Sequence, residues 1–290
     1  MKVFRSIPEL RNFLAEQRRD GLSIEFVPTM GAFHEGHLAL MRAARREGGV
    51  RAVSIFVNPL QFGSSEDFDT YPRDLEADLE MADAQGVDLV FAPPAAEMYP
   101  QAELQTRVEV GRLGEILEGE HRPGHFAGVA TVCAKLFNIT EPDRVYLGRK
   151  DAQQVAVLRQ MVRDLNLPVE LVQFPTVREP DGLAMSSRNR RLASDARQEA
   201  AAIFGALQAA EAEVRRDQTS TAELVAAARE VLDQHPAVRV QYLEVVHQQT
   251  FEPVRTVSQD ALMVVAALVG SVRLIDNCIV GTAERPERKE

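Results

Sequence analysis

Residues Ser23 to Met41 read SIEFVPTMGAFHEGHLALM. Ser23–Val27 is a short strand candidate, and after a turn a helical stretch runs from about His34 to Arg46. Ala52–Val57 (AVSIFV) is a β-branched run of the kind buried in a parallel sheet. A helix from about Asp74 to Gln85 and a strand at Asp88–Phe91 follow. Then come a helix at Phe126–Asn138, a strand at Val145–Leu147, a helix at Ala152–Leu165 and a strand at Val169–Phe174. Strands separated by helices mark βαβ units, so the first 176 residues predict an α/β fold, a parallel sheet with flanking helices. Ligands bind such sheets beyond the carboxyl ends of their strands.

The chain changes character after Pro175. TVREPDGLAMSSRNRRLAS is rich in turn formers and Arg and suits a hairpin or hinge. Ser194 is positioned to N-cap a long Ala-rich helix reaching about Arg216. A second helix covers Thr219 to Gln234, with Thr221 and Leu224 opening its apolar face. Strands are expected at Val238–Val246, Ala261–Leu268 and Arg273–Ile275, and the charged residues Glu284 to Glu290 are expected to fray. Residues 177–290 therefore predict a smaller α+β C-terminal domain.

Composition limits what such a chain does. Its 290 residues suffice for two domains with real cores, and 45% hydrophobic with 26% charged residues is soluble-globular usage. The formal charge of −10 argues against nucleic acid or an anionic membrane as the main partner, though a few local cations could still hold a small anion. The longest apolar run, Ala261–Val269, is too short to cross a bilayer. The N-terminus shows no secretory pattern, so a cytoplasmic location is expected. Two distant cysteines, Cys133 and Cys278, make neither a disulfide scaffold nor a Cys-based zinc site.

Three clusters could hold phosphates. In the first, Gly31 and Gly36 allow a tight turn and close backbone approach, and His34 and His37 stand three apart at a helix start. Unpaired N–H groups and the helix dipole favour anions there, and imidazoles can donate to phosphate oxygens. It is not a P-loop, because His37 and Leu38 follow Gly36 in place of Lys and Ser/Thr. Both histidines could equally be surface or capping residues, and a zinc site lacks an evident third ligand. The second cluster is LGRKDAQQ, Leu147 to Gln154. It offers the Lys150 ammonium, or a solvated lysine, and Asp151 for ribose hydroxyls or the helix N-terminus. The third, MSSRN at Met185 to Asn189, combines two hydroxyls with a guanidinium that can fork onto phosphate, or is an ordinary turn.

HxGH after the first of these strands, with the KMSKS-like MSSRN far downstream, resembles the nucleotidyltransferase superfamily that includes class I aminoacyl-tRNA synthetases. Seven ordered blocks narrow the likeness: FVPTMGAFHEGH, SIFVNPLQF, DFDTYPRD, EMYP, HRPGHFAGVATVCAKLFN, GRKDAQQ and DGLAMSSRN. Over about residues 24 to 190 the chain is similar to the pantothenate synthetase (pantoate–β-alanine ligase) family, and QYLEVV in the tail fits more loosely. MSSRN departs from KMSKS as that family does.

The resemblance implies an ATP-dependent ligase that joins (R)-pantoate to β-alanine through a pantoyl adenylate, releasing pyrophosphate and AMP. It implies an ATP turn of Met30, Gly31, Ala32, Phe33, His34, Glu35, Gly36 and His37, with His34 and His37 on phosphate oxygens. His37 is the family's proton donor, read here first as an electrostatic stabiliser. Gly148, Arg149, Lys150 and Asp151 form the next ATP segment, with Lys150 on phosphates and Asp151 towards the ribose. Met185, Ser186, Ser187 and Arg188 close over the phosphates, and Val177 places the adenine through its backbone. Gln61 and Gln154 bind pantoate, with Asn58 and Tyr71 in matching blocks, while Arg122 and His125 line a flap. Mg²⁺ is expected with ATP; Asp78 is one acidic candidate, and no protein ligand is assigned. A Rossmann-like N-terminal domain of residues 1–176, a C-terminal lid and a homodimer complete what the likeness implies. The runner-up is a cytidylyltransferase-like enzyme that keeps the nucleotide in its product. Outside enzymes, the alternative is a nucleotide-binding regulator without catalysis.

Overall fold

The computed structural model describes residues 1–45, 49–63, 68–101 and 104–281. The expected helix end at Arg46 and the charged tail Glu284 to Glu290 lie outside the described residues. The chain divides into two units, one of residues 1–149 and 153–175 and the other of 150–152 and 176–290.

The larger unit is built on six parallel strands: β1 (Lys2–Phe4), β2 (Ser23–Thr29), β3 (Gly49–Ile55), β4 (Leu89–Phe91), β5 (Arg144–Gly148) and β6 (Glu170–Phe174). They lie in the order β1-β4-β3-β2-β5-β6. Helices α1 (Ile7–Arg19), α2 (Glu35–Ala43), α3 (Leu75–Ala84), α4 (Ala95–Met98), α5 (Glu118–His121), α6 (His125–Thr140) and α7 (Ala152–Asp164) connect or follow them. Successive strands spread one way from β2 through β3 to β4, then the chain returns to place β5 on the other side of β2. The carboxyl ends of β2 and β5 therefore diverge at the topological switch point, where doubly wound sheets form ligand crevices.

Burial explains the pattern. Ile24, Glu25, Phe26 and Val27 are all buried in β2, so the strand is covered on both faces. Helix α6 is apolar nearly all round, and residues from Phe126 to Ile139 pack with Leu10 and Leu14 of α1 in one core. Across the sheet Phe33, Leu40, Met41, Val87 and Tyr146 form a second. Glu25 is a buried carboxylate that accepts from Tyr146 Oη at 2.8 Å and Arg144 at 2.7 Å, so its charge is answered inside the sheet.

The sequence reading overlooks β1 and α1. Three strand residues lie below the length at which alternation shows, and the α1 helix signal was there in Leu10 and Leu14, buried four apart, and in Gly21 just after the helix at φ +80°.

The smaller unit has helices α8 (Ser194–Ala200), α9 (Ala202–Arg215) and α10 (Thr221–Asp233) packed on an antiparallel sheet of β7 (Val238–His247), β8 (Ala261–Val269) and β9 (Val272–Ile279) in that order. Two expectations are corrected. The Ala-rich segment is two helices, and Ser194 is the first helical residue behind an uncapped Ala193. Ala200 and Ala202 are both buried in the same core, and residues two apart on one helix point about 200° apart, so the helix breaks at Ala201. β9 extends well beyond Arg273–Ile275 because it pairs with β8 as far as Leu262↔Ile279. The polar pair Asp276–Asn277 had disguised it. No helix among the described residues is long and apolar enough to cross a membrane.

Candidate active site

The turn after β2 is held by a carboxylate from far along the chain. Gly31 has φ +82° and Ala32 φ +52°. Asp78, buried in the first turn of α3, accepts from Ala32 N–H and Phe33 N–H, both at 2.8 Å. A Cβ on Gly31 would lie 2.6 Å from Asp78 Oδ2 and 3.0 Å from Ile55 Cγ2, so this position must be glycine both for its backbone and for its space. Thr29 Oγ1 completes the brace, donating to Ser54 O at 2.5 Å and accepting from Gly31 N–H at 3.2 Å.

His34 is the N-cap of α2. Its Nδ1 accepts from Gly36 N–H at 3.1 Å, and His37 Nδ1 accepts from His34 N–H at 3.4 Å. An imidazole that accepts through Nδ1 carries its neutral-state proton on Nε2, so both rings are Nε2–H donors beside a helix N-terminus. The rings lie 4.1 Å apart between centroids, and Phe33 packs on His37 at 5.5 Å. Of the two alternatives in the sequence, the structure shows capping by His34. Capping uses Nδ1.

Beside this turn lies a polar cluster. Gln61 closes the 3-10 turn Pro59–Gln61, and its Nε2 lies 3.1 Å from Met30 Sδ. Asn58 Nδ2 donates to Gln61 Oε1 and to Gly128 O, both at 3.1 Å. Tyr99 Oη donates to Asn58 Oδ1 at 2.8 Å. His125, read from sequence as flap-lining, is instead buried at the start of α6 with Nδ1 2.8 Å from Gln61 O; Arg122 lies 3.0 Å from its Nε2. Tyr71 is buried and meets the Phe62 ring edge-on at 5.9 Å. On α7, Gln153 and Gln154 part company. Gln153 is buried, donating to Leu113 O and Ile116 O and accepting from Glu118 N–H, while Gln154 is half-buried.

β5 ends on Gly148, and Arg149 follows in a 3-10 turn. Burial, and after it the charge of nearby Arg149, lowers the Arg159 pKa. Burial also pushes the Cys133 thiol in α6 up to about 12.

The smaller unit carries the remaining candidates. Lys150 is 3.3 Å from Asp151 Oδ1, and Asn277 Nδ2 donates to Lys150 O at 2.9 Å. Val177 O accepts from Met185 N–H at 3.0 Å, so the residues before MSSRN do form a hairpin. Asp276 receives both ends of the Arg178 guanidinium fork at 2.6 and 3.1 Å; burial pushes its carboxyl up while Arg178 draws it down. Ser186 Oγ accepts from Arg188 N–H at 3.3 Å, capping the turn Ser187–Arg191, and Asn189 ties that turn to Glu179 and Ala184 O. Glu179 and Asp181 in turn receive Arg197, whose ion pair holds the Asp181 carboxyl below its usual range.

The larger unit thus places an HxGH turn with two imidazole donors at the switch point of a parallel sheet, and Met30, Gly31, Phe33, His34, His37 and Gln61 come together around it. These features define an α/β enzyme of the HxGH nucleotide-binding class. The pantoate-beta-alanine ligase family model matches residues 2–279, and the chain belongs to that family. It is 49% identical over 276 residues to a pantothenate synthetase of Aquifex aeolicus, covering 95% of this chain and 97% of that protein. It is likewise 49% identical over 281 residues to one from a Thermoanaerobacter species, covering 97% and 99%. A pantothenate synthetase structure from Thermus thermophilus superposes with a TM-score of 0.91 at 47% identity, covering 97% of this chain and all of that one. A pantoate-beta-alanine ligase from Francisella tularensis, complexed with Beta-gamma ATP and Beta-alanine, gives 0.78 at 34% identity over 97% and 98%.

Proposed function

We propose that the protein condenses (R)-pantoate with β-alanine at the expense of ATP. A pantoate carboxylate oxygen attacks the α-phosphorus, the bond from that phosphorus to the oxygen bridging to the β-phosphorus breaks, and pyrophosphate leaves. The β-alanine amine then attacks the adenylate's carbonyl carbon and AMP departs with the former carboxylate oxygen, while the amine proton passes to solvent. The difficulty lies in aligning two anions and stabilising charge at the phosphorus. The observation that carries this reading is the pair of imidazoles, His34 and His37, held through Nδ1 at the α2 N-terminus.

In this reading Met30 to His37, with Gly148, Arg149, Lys150, Asp151 and Val177, bind ATP. His34 and His37 donate to phosphate oxygens. Lys150 and Arg188 supply positive charge, and Met185, Ser186 and Ser187 belong to the same nucleotide-binding set. Gln61 and Gln154 bind pantoate. Residues 1–176 would hold ATP and the acid, and 177–290 would serve as the lid. Family membership supports all of these assignments. A homodimer rests on the resemblance alone, and a cytoplasmic location on the N-terminal sequence.

Mg²⁺ would enter with ATP as part of the substrate, neutralising its phosphates. Asp78 already has both oxygens engaged by backbone N–H groups, and among the described residues no three His, Cys, Asp or Glu side chains gather to hold an ion.

The test is pyrophosphate release from MgATP and (R)-pantoate with and without β-alanine. Sustained pyrophosphate and AMP only with the amine support the ligase. Nucleotide retained in the final product would overturn it in favour of nucleotidyl transfer.

A further inference from the structure

The polar cluster around Gln61 has a fixed direction. Two of its contacts are backbone groups whose roles cannot change. Leu60 N–H can only donate, and it meets Asn58 Oδ1 at 3.3 Å; Gly128 O can only accept, and it meets Asn58 Nδ2 at 3.1 Å. The Asn58 amide therefore has one allowed orientation. Two consequences follow along the chain of bonds. Tyr99 Oη must be the donor to Asn58 Oδ1, and Gln61 Oε1 must be the acceptor from Asn58 Nδ2. Gln61 is left with its Nε2 as the end it can offer a ligand.

That nitrogen lies 3.1 Å from Met30 Sδ, and a thioether is a weak acceptor. Exchanging it for a carboxylate or hydroxyl oxygen costs little and gains a stronger bond. The backbone of the turn is pinned as well, because Gln61 O is 2.8 Å from His125 Nδ1. The helix carrying Gly128 approaches so closely that a Cβ there would sit 2.2 Å from Leu60 O. Tyr99 itself is anchored behind α4 with its ring 6.0 Å from Phe56.

We propose that Tyr99 is a positioning residue for the acid substrate: its hydroxyl reinforces the Asn58 orientation that Leu60 N–H and Gly128 O set, and so steadies the Gln61 amide to meet the acid as an N–H donor. This rests on the reading of Gln61 as a pantoate-binding residue. Tyr99 touches no substrate itself, so its effect belongs to acid binding and not to ATP.

The experiment is steady-state pyrophosphate release with (R)-pantoate and ATP varied separately, alongside thermal unfolding. Tyr99→Phe removes only the hydroxyl and should raise KM for pantoate about 3- to 10-fold, with KM for ATP and Tm close to the parent's. Asn58→Asp puts an oxygen opposite Gly128 O and Gln61 Oε1, so Gln61 has to turn its amide over. The loss in pantoate KM should then be on the order of 100-fold, again without a matching change for ATP. If Tyr99→Phe shifts both KM values together with Tm, Tyr99 is merely structural and the proposal fails. Gln61→Ala separates the two readings. If it raises pantoate KM while Tyr99→Phe does not, the relay is wrong and Gln61 stands. If Gln61→Ala leaves pantoate KM unchanged, the underlying assignment falls and the proposal with it.

Discussion

Replacing Asp78 with Asn tests how the nucleotide turn is held. The carboxylate accepts from Ala32 N–H and Phe33 N–H at 2.8 Å each, and all three residues are buried. Asn keeps one acceptor, now neutral, and turns an NH₂ group toward the other backbone N–H. A hydrogen bond to a charged group is worth about 1.5–3 kcal/mol and a stranded buried donor costs about 1–3 kcal/mol. Relief of one buried charge offsets part of this. The expected destabilisation is about 2–4 kcal/mol, or about 5–15 °C in Tm for a unit of this size. The fold should survive, but the turn carrying His34 and His37 would move, and a misplacement of about 1 Å can cost about 100-fold in rate. Denaturant unfolding and kcat/KM for ATP should both fall, and raising Mg²⁺ should not restore them. Unchanged stability with kcat/KM restored by Mg²⁺ would refute the reasoning and make Asp78 a metal ligand.

Gly128→Ala should cost about 3 kcal/mol or more in stability, read by denaturant unfolding, because the added Cβ meets Leu60 O at 2.2 Å and Gln61 N at 2.6 Å, both backbone atoms. The adjacent glutamines of α7 should behave oppositely. Gln154→Ala should raise pantoate KM about tenfold, the value of one hydrogen bond to a charged group, with Tm unchanged. Gln153→Ala should lower stability by about 1–3 kcal/mol without selectivity between substrates. Cys133, with its thiol pushed up to about 12 by burial, should resist iodoacetamide at pH 8 until the protein is unfolded; rapid native-state labelling would contradict that packing.

Much of this could be read from the residues. The βαβ alternation was visible because short β-branched stretches such as the one in β3 alternate with helical segments, and their order put HxGH at a carboxyl end. What periodicity misses is what only the three-dimensional fold brings together. Asp78 lies 45 residues from the turn it braces, and nothing local distinguishes it from Glu76 or Glu80. Gln153 and Gln154 are identical in sequence terms, and only the helix face they occupy tells a structural amide from a candidate ligand. Asp276 and Asn277 looked like the end of a strand. They are buried in its middle because Asp276 accepts from Arg178 and Asn277 donates to Lys150 O. Tyr99 stood in a recognisable block, EMYP, yet its role is set by a bond to Asn58, 41 residues away.

The most direct test of an adenylate route follows one oxygen atom. Pantoate labelled with ¹⁸O in its carboxylate is turned over with MgATP and β-alanine, and the products are separated for mass analysis. Attack of the carboxylate on the α-phosphorus, followed by amine attack on carbon, transfers one labelled oxygen to AMP and leaves pyrophosphate unlabelled. Label in pyrophosphate or inorganic phosphate, or AMP without label, would mean that activation occurs at another phosphorus or not at all.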